Sequence, residues 1–213
     1  LDPLLKENPA LFAALVARAA HAITARLKIA DARLTARGRT LGFSSGDTRL
    51  EHDLLGERAV PDAALYGVQT LRALENFPIT GVPLRDFPEL IIALAQVKEA
   101  AALANMQLGL LDRGVGDAIV RACKEIQAGR HHEHFPVDMI QGGAGTSSNM
   151  NANEVIANRA LELLGIPRGH YDRVSPNDHV NHAQSTNDVY PTAIKLALHQ
   201  GIGTLQAAMT DLV

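Results

Sequence analysis

Residues 141–154 run Gln141-Gly-Gly-Ala-Gly-Thr146-Ser-Ser-Asn-Met-Asn-Ala-Asn-Glu154, glycines passing into hydroxyls and amides and then into helical spacing. A turn of this composition exposes backbone N–H groups and side-chain donors at a helix N-terminus, a place that suits an anion. The lysine of a nucleotide P-loop is missing, and no strand–helix repeat surrounds the glycines as a dinucleotide fingerprint requires. On these residues alone a capped turn without a ligand stands level with an anion site.

Downstream, Ser175-Pro-Asn-Asp-His-Val-Asn-His-Ala-Gln-Ser185-Thr-Asn-Asp188 packs amides, hydroxyls and two histidines into a loop ahead of a helix. Ser185 is placed to cap that helix, with Asp188 three residues on as a near match to a capping box. Pro191 is expected in the first turn, where its missing N–H matters little. Gln184, Ser185, Thr186 and Asn187 again present neutral donors at a helix start, and two carboxylate-sized sites suggest a small dicarboxylate ligand. Beyond them Ile194, Leu198, Ile202, Leu205, Met209 and Leu212 recur at steps of three and four, close to the period of a bundle seam. A helix of about 26 residues would be about 39 Å long. Its apolar stripe calls for partner helices from other chains or from sequence outside these residues.

Upstream, Met150–Leu164 reads as a helix closed by Gly165-Ile166-Pro167, and Arg130–Gly145 and Arg168–Gln184 as loops. Asp117–Ala128 reads as a shorter helix. Asp86-Phe87-Pro88 opens a longer one with Asp86 as its cap, carried by Leu90, Ile91, Leu94, Val97, Ala101, Ala104 and Leu108 and ending near Gly109. Residues 49–85 lack helical periodicity and are punctuated by proline and glycine, so turns, a short hairpin and one short helix are expected. Asn8-Pro9 starts a helix over 9–34, followed by a basic run to Arg39 and a linker-like Gly42–Thr48.

Composition narrows the function classes. The chain has 213 residues, 46% hydrophobic and 20% charged, with formal net charge -3. That balance suits a globular fold and argues against a nucleic-acid binder, which carries a strongly basic footprint. Aromatics are 4% and Trp is absent, while alanine and leucine abound, which favours helices. The single cysteine, Cys123, reads as a small core residue in a reducing, cytoplasmic setting. No apolar run approaches the roughly 20 residues of a membrane span, and residues 11–23 lack the cleavage pattern of a signal peptide. The chain begins at Leu1, as a fragment would. His131-His-Glu-His134 has no zinc-protease spacing and consecutive histidines diverge, so no metal is expected.

Several long motifs, in order, resemble the aspartase/fumarase superfamily. They are Glu51-His-Asp-Leu-Leu-Gly56, Tyr66-Gly-Val-Gln-Thr-Leu-Arg-Ala-Leu-Glu-Asn-Phe77, the glycine stretch through Glu154, Pro176-Asn-Asp-His-Val-Asn181 and Gln184-Ser-Thr-Asn-Asp-Val-Tyr-Pro-Thr192. The resemblance covers about Thr48 to Val213. Gln-Gly-Gly-Ala-Gly-Thr-Ser-Ser and Gln-Ser-Thr-Asn are similar to the aspartase side, where fumarases tend to carry Gly-Ser-Gly-Thr-Gln-Ser and Gln-Ser-Ser-Asn. Ala183 departs from the Ser or Cys common there.

The resemblance implies a mainly α fold. Residues 48–184 would be the N-terminal lyase domain and 185–213 the start of the first long helix of a central bundle; 1–47 stay unassigned. It implies reversible deamination of L-aspartate to fumarate and ammonia, without a cofactor or metal, in a cytoplasmic homotetramer whose sites each draw on three chains. No nucleic-acid or membrane partner is expected. Thr146 would bind substrate carboxylate, Ser185 and Thr186 would hold the same end, and Asn187 would lie near the amino group. These donors meet charge that grows on an aci-carboxylate intermediate, each worth roughly 3–4 kcal/mol. The family's base is a serine in a Gly-Ser-Ser loop followed by Met-Pro-x-Lys-x-Asn. Neither that loop nor the family's Thr-His pair occurs in these residues, so the chain alone is expected to be inactive. A class II fumarate hydratase or another superfamily lyase is the alternative enzyme, and a non-catalytic oligomerising helical remnant the alternative from another class.

Overall fold

A computed structural model describes residues 46–141 and 143–211. The helix expected over 9–34 lies outside the described residues. The chain divides into two compact units; the larger is Phe43–Gly203, and of the other the described part is 204–211.

The proline- and glycine-broken region folds as expected into a hairpin and a short helix. Strand β1 (Thr48–Asp53) pairs antiparallel with β2 (Gly56–Pro61), Asp53 opposite Gly56. Asp53 Oδ1 accepts the Leu55 N–H at 2.9 Å, closing the turn. The same carboxylate takes Nε and Nη2 of Arg72 at 2.6 and 2.7 Å, tying the hairpin tip to helix α1 (Val68–Asn76).

Four longer helices follow: α2 (Pro88–Gln107), α3 (Arg113–Gln127), α4 (Thr146–Leu163) and α5 (Thr186–Thr210). Helix α2 packs on α3, α3 on α4, and α1 on α4. Leu90, Ile91, Leu94, Ile119, Cys123, Ile126, Ile156 and Leu161 form the centre of the core. Cys123 is fully buried, as a small core residue should be. Among the described residues no helix is long and apolar enough to cross a membrane.

Helix α4 is buried on nearly every side although its sequence is largely polar. Its amides hook the surrounding loops. Asn151 Nδ2 donates to the His134 carbonyl at 2.9 Å and Asn158 Nδ2 to the Leu65 carbonyl at 2.8 Å. Glu154, 1% exposed, accepts the N–H groups of Gly67, Gln69 and Thr70 at 2.7–3.0 Å, and Glu51 accepts that of Val68 at 2.8 Å. These carboxylates replace the side-chain cap that Gly67 cannot supply to α1. Burial, with Glu51 close by, pushes the Glu154 carboxyl up to about 7.

Several boundaries differ from those expected. Phe87, not Asp86, occupies the cap position of α2, because Asp86 closes a 3₁₀ turn over Leu84–Asp86. Helix α3 starts four residues before Asp117. Asp112 caps it by accepting the Gly114 and Val115 N–H groups, so Gly114 and Gly116 lie inside its first turn. Gly116 is there for packing, since a Cβ would run into the Met106 side chain. Helix α4 likewise starts at Thr146, four residues before Met150. Pro191 is the sixth residue of α5, one turn deeper than expected, and it cannot donate to the Asn187 carbonyl. The loop over 130–145 contains a 3₁₀ turn at His132–His134, and that over 168–184 a π-helical turn at Pro176–Val180.

Candidate functional site

The two donor-rich stretches meet. Gly145, at φ 90°, turns the chain into α4, and the ring of Tyr190 on α5 lies against it. Residues 139–141 and 143–145 face Asn187, Tyr190 and Pro191 across a cavity of about 510 Å³. Gln141 fixes the glycine turn to the helix: its Oε1 accepts the Ser148 N–H at 2.9 Å and its Nε2 donates to Ser148 Oγ at 2.7 Å.

Asn149, one turn into α4, bridges the helix starts. Its Nδ2 donates to Thr186 Oγ1 at 3.0 Å and to Asn181 Oδ1 at 3.2 Å. Thr146 is exposed at the first position of α4, and its hydroxyl makes no hydrogen bond among the described residues. Ser185 Oγ accepts the Asn187 N–H at 3.2 Å, the expected capping contact. Both the Ser185 and Thr186 hydroxyls are thus used as acceptors, which leaves their O–H hydrogens to donate. The Asn187 side chain is exposed and lines the cavity; Thr146, Ser185 and Thr186 do not line it.

Sequence reasoning missed the residues beneath this surface. Lys98 on α2 is fully buried and donates to Asn181 Oδ1 at 2.7 Å and Gln184 Oε1 at 3.1 Å. Burial holds its ammonium down to about 7. Asn105, seven residues further along α2 on the same face, donates to the His182 carbonyl at 3.1 Å. A signal was present in the sequence: Ile91, Leu94, Lys98, Ala102 and Asn105 continue one stripe at steps of three and four. The expected continuation through Ala104 and Leu108 is exposed instead.

His131, Glu133 and His134 place ligand atoms within 4.8 Å of one another. The chemistry there opposes a metal. His134 Nδ1 accepts the Leu65 N–H at 3.2 Å, so the neutral ring carries its hydrogen on Nε2. Burial holds this ring neutral, down to about 4. His131 Nε2 meets Glu125 at 2.9 Å, and Arg159 and Arg130 pair with the same carboxylate.

Two helix starts rich in neutral hydrogen-bond donors meet in this fold, joined through Asn149. The family described as Lyase matches residues 56–213, and the chain belongs to that family. It is 60% identical over 152 residues to an aspartate ammonia-lyase of Bacillus sp., covering 71% of this chain and 32% of the relative. A fumarate lyase:delta crystallin structure from Brucella melitensis superposes with TM-score 0.76 at 57% identity, over 77% of this chain and 38% of that one. A class II fumarase from Schistosoma mansoni gives TM-score 0.63 at 40% identity, over 71% and 32% of the two chains. The chain spans about a third of the length of the curated relatives it matches.

Proposed function

We propose that these residues form the dicarboxylate-binding part of the active site of a carbon–nitrogen lyase that converts L-aspartate reversibly to fumarate and ammonia. A base takes the proton from the carbon next to the β-carboxylate, that C–H pair becomes the new C=C bond, and nitrogen leaves with the C–N pair. Charge on the carboxylate rises before nitrogen departs, and Thr146, Ser185, Thr186 and Asn187 are the donors assigned to substrate. Their neutrality matters, because donors of fixed geometry meet growing charge without competing for the proton. The base is assigned to a group outside these 213 residues.

The observation that carries this reading is the Asn149 bridge to Thr186, which ties the start of α4 to the start of α5. Identity to an aspartate ammonia-lyase, higher than to the fumarase, supports aspartate over malate as substrate. The exposed stripe of Leu198, Ile202, Leu205 and Met209 on α5 supports a homotetramer built on a helix bundle. A cytoplasmic location accords with one buried thiol. Residues 48–184 are assigned to the N-terminal lyase domain and 185–213 to the first bundle helix.

The test is a chimera that joins residues 48–213 to the remaining two-thirds of the Bacillus sp. enzyme, assayed for fumarate. Thr146→Val and Asn187→Ala should each lower kcat/KM, partly through kcat, with the thermal midpoint little changed. Unchanged kinetics with a lowered midpoint would make these residues turn caps, worth about 1 kcal/mol of stability each.

A further inference from the structure

A fully buried lysine without an acidic partner needs a reason, since desolvating an ammonium is costly. Among the described residues Lys98 makes no ion pair; its partners are the amide oxygens of Asn181 and Gln184. The Cys123 thiol of α3 is the ionisable group near enough to act on it, and burial pushes that thiol up, so it is uncharged.

What Lys98 controls is amide orientation. With both side-chain oxygens drawn to the ammonium, both NH₂ groups must point the other way, and there each closes the loop on itself. Asn181 Nδ2 donates to the Gln184 carbonyl at 3.1 Å. Gln184 Nε2 donates to the carbonyls of Val180 at 2.9 Å and His182 at 3.1 Å. Between them Ala183 sits at φ 55°, a left-handed conformation that a non-glycine residue keeps only when its surroundings impose it. Ser185, Thr186 and Asn187 follow directly, and Asn181 Oδ1 also accepts from the Asn149 amide that holds Thr186.

We infer that Lys98 is a positioning residue for the substrate donors: its buried ammonium sets the Asn181 and Gln184 amides, which hold the 181–184 turn and so place Ser185, Thr186 and Asn187 against the start of α4. This deepens the dicarboxylate reading above and rests on it. A lysine supplies what a neutral side chain of the same length cannot, two charge-assisted donors from one atom.

The experiment uses the 213-residue chain labelled with ¹⁵N, as wild type, Lys98→Met and Lys98→Gln, with circular dichroism to establish that each is folded. Lys98→Met removes both hydrogen bonds; Lys98→Gln keeps an uncharged NH₂ donor group and guards against a methionine variant that fails to fold. The Asn181 and Gln184 side-chain amide resonances and the backbone resonances of 185–187 should move in both variants, while the hairpin over 48–61 stays in place. Titration with succinate should show about tenfold weaker binding in Lys98→Met, the effect of losing a hydrogen bond to a charged group. A residue that only fills the core would leave succinate affinity unchanged at equal fold. Amide and 185–187 resonances that stay put in a folded variant overturn the inference. So does unaltered succinate affinity where the wild type binds. A wild type that ignores succinate counts against the dicarboxylate reading alone, and the amide resonances then decide the positioning role by themselves.

Discussion

Replacing Gly145 with alanine should damage this protein in two separable ways. Gly145 adopts φ 90°, a conformation L-residues avoid, at a cost of about 1–2 kcal/mol. A Cβ there would also lie 2.6 Å from Cδ2 of Tyr190 and closer still to Cγ and Cδ1. Those atoms are at the root of the ring, so the tyrosine cannot swing aside at its tip; α5 must shift or the rotamer must break. Overpacking of this kind costs about 1–3 kcal/mol, which brings the total to about 2–5 kcal/mol. Urea unfolding followed by circular dichroism should show that loss as a lowered midpoint at constant slope. Tyr190→Ala in the same chain removes the collision and leaves the backbone strain, so the double mutant should fall short of additivity by about 1–3 kcal/mol. A Gly145→Ala chain within about 0.5 kcal/mol of wild type, or an additive cycle, would refute the packing of the glycine turn on α5.

Glu125 joins α3 to α4 through Arg159, and the Arg159 and His131 bonds hold its carboxyl down to about 2. A depressed carboxyl contributes stability above its unfolded value near 4.5 that is lost as pH falls toward 2. Urea unfolding at pH 6 and pH 3 should show wild type losing more than Glu125→Gln; equal losses would contradict this. Glu154→Gln should cost about 1–3 kcal/mol at neutral pH, because its NH₂ would face a backbone N–H at the start of α1. A thermal midpoint equal to that of wild type would count against the capping role. Zinc or cobalt should leave the midpoint of the chain unmoved, since the His134 lone pair is already engaged; a rise that grows with metal concentration would show otherwise. The 213 residues alone should release no fumarate from aspartate, the Gly-Ser-Ser loop being absent from their sequence, and turnover near that of a full lyase would mean the base lies among them.

Much of this protein follows from local sequence. Apolar spacing marked α2, α3 and α5 because an amphipathic helix must repeat its buried face every three or four residues. The proline and glycine spacing of 49–85 marked the hairpin region, since those residues break helices whatever surrounds them. The donor-rich stretches around Thr146 and Ser185–Asn187 were legible as helix starts by composition. Tertiary structure decided the rest. Helix α4 is the interior of the fold although its run of asparagines and Glu154 reads as surface, because Asn151, Glu154 and Asn158 find partners in segments more than ten residues away in sequence. The starts of α3 and α4 lie four residues earlier than the apolar spacing marked, for a local reason. Asp112 accepts the Gly114 N–H and Gln141 accepts the Ser148 N–H, so side chains just ahead of each helix satisfy its first turn. Lys98 lay on the apolar stripe of α2 in plain view, but its role depends on Asn181 and Gln184, more than 80 positions away. Period and composition report which face a residue takes; only the folded chain brings together a buried charge and the amides that stabilise it.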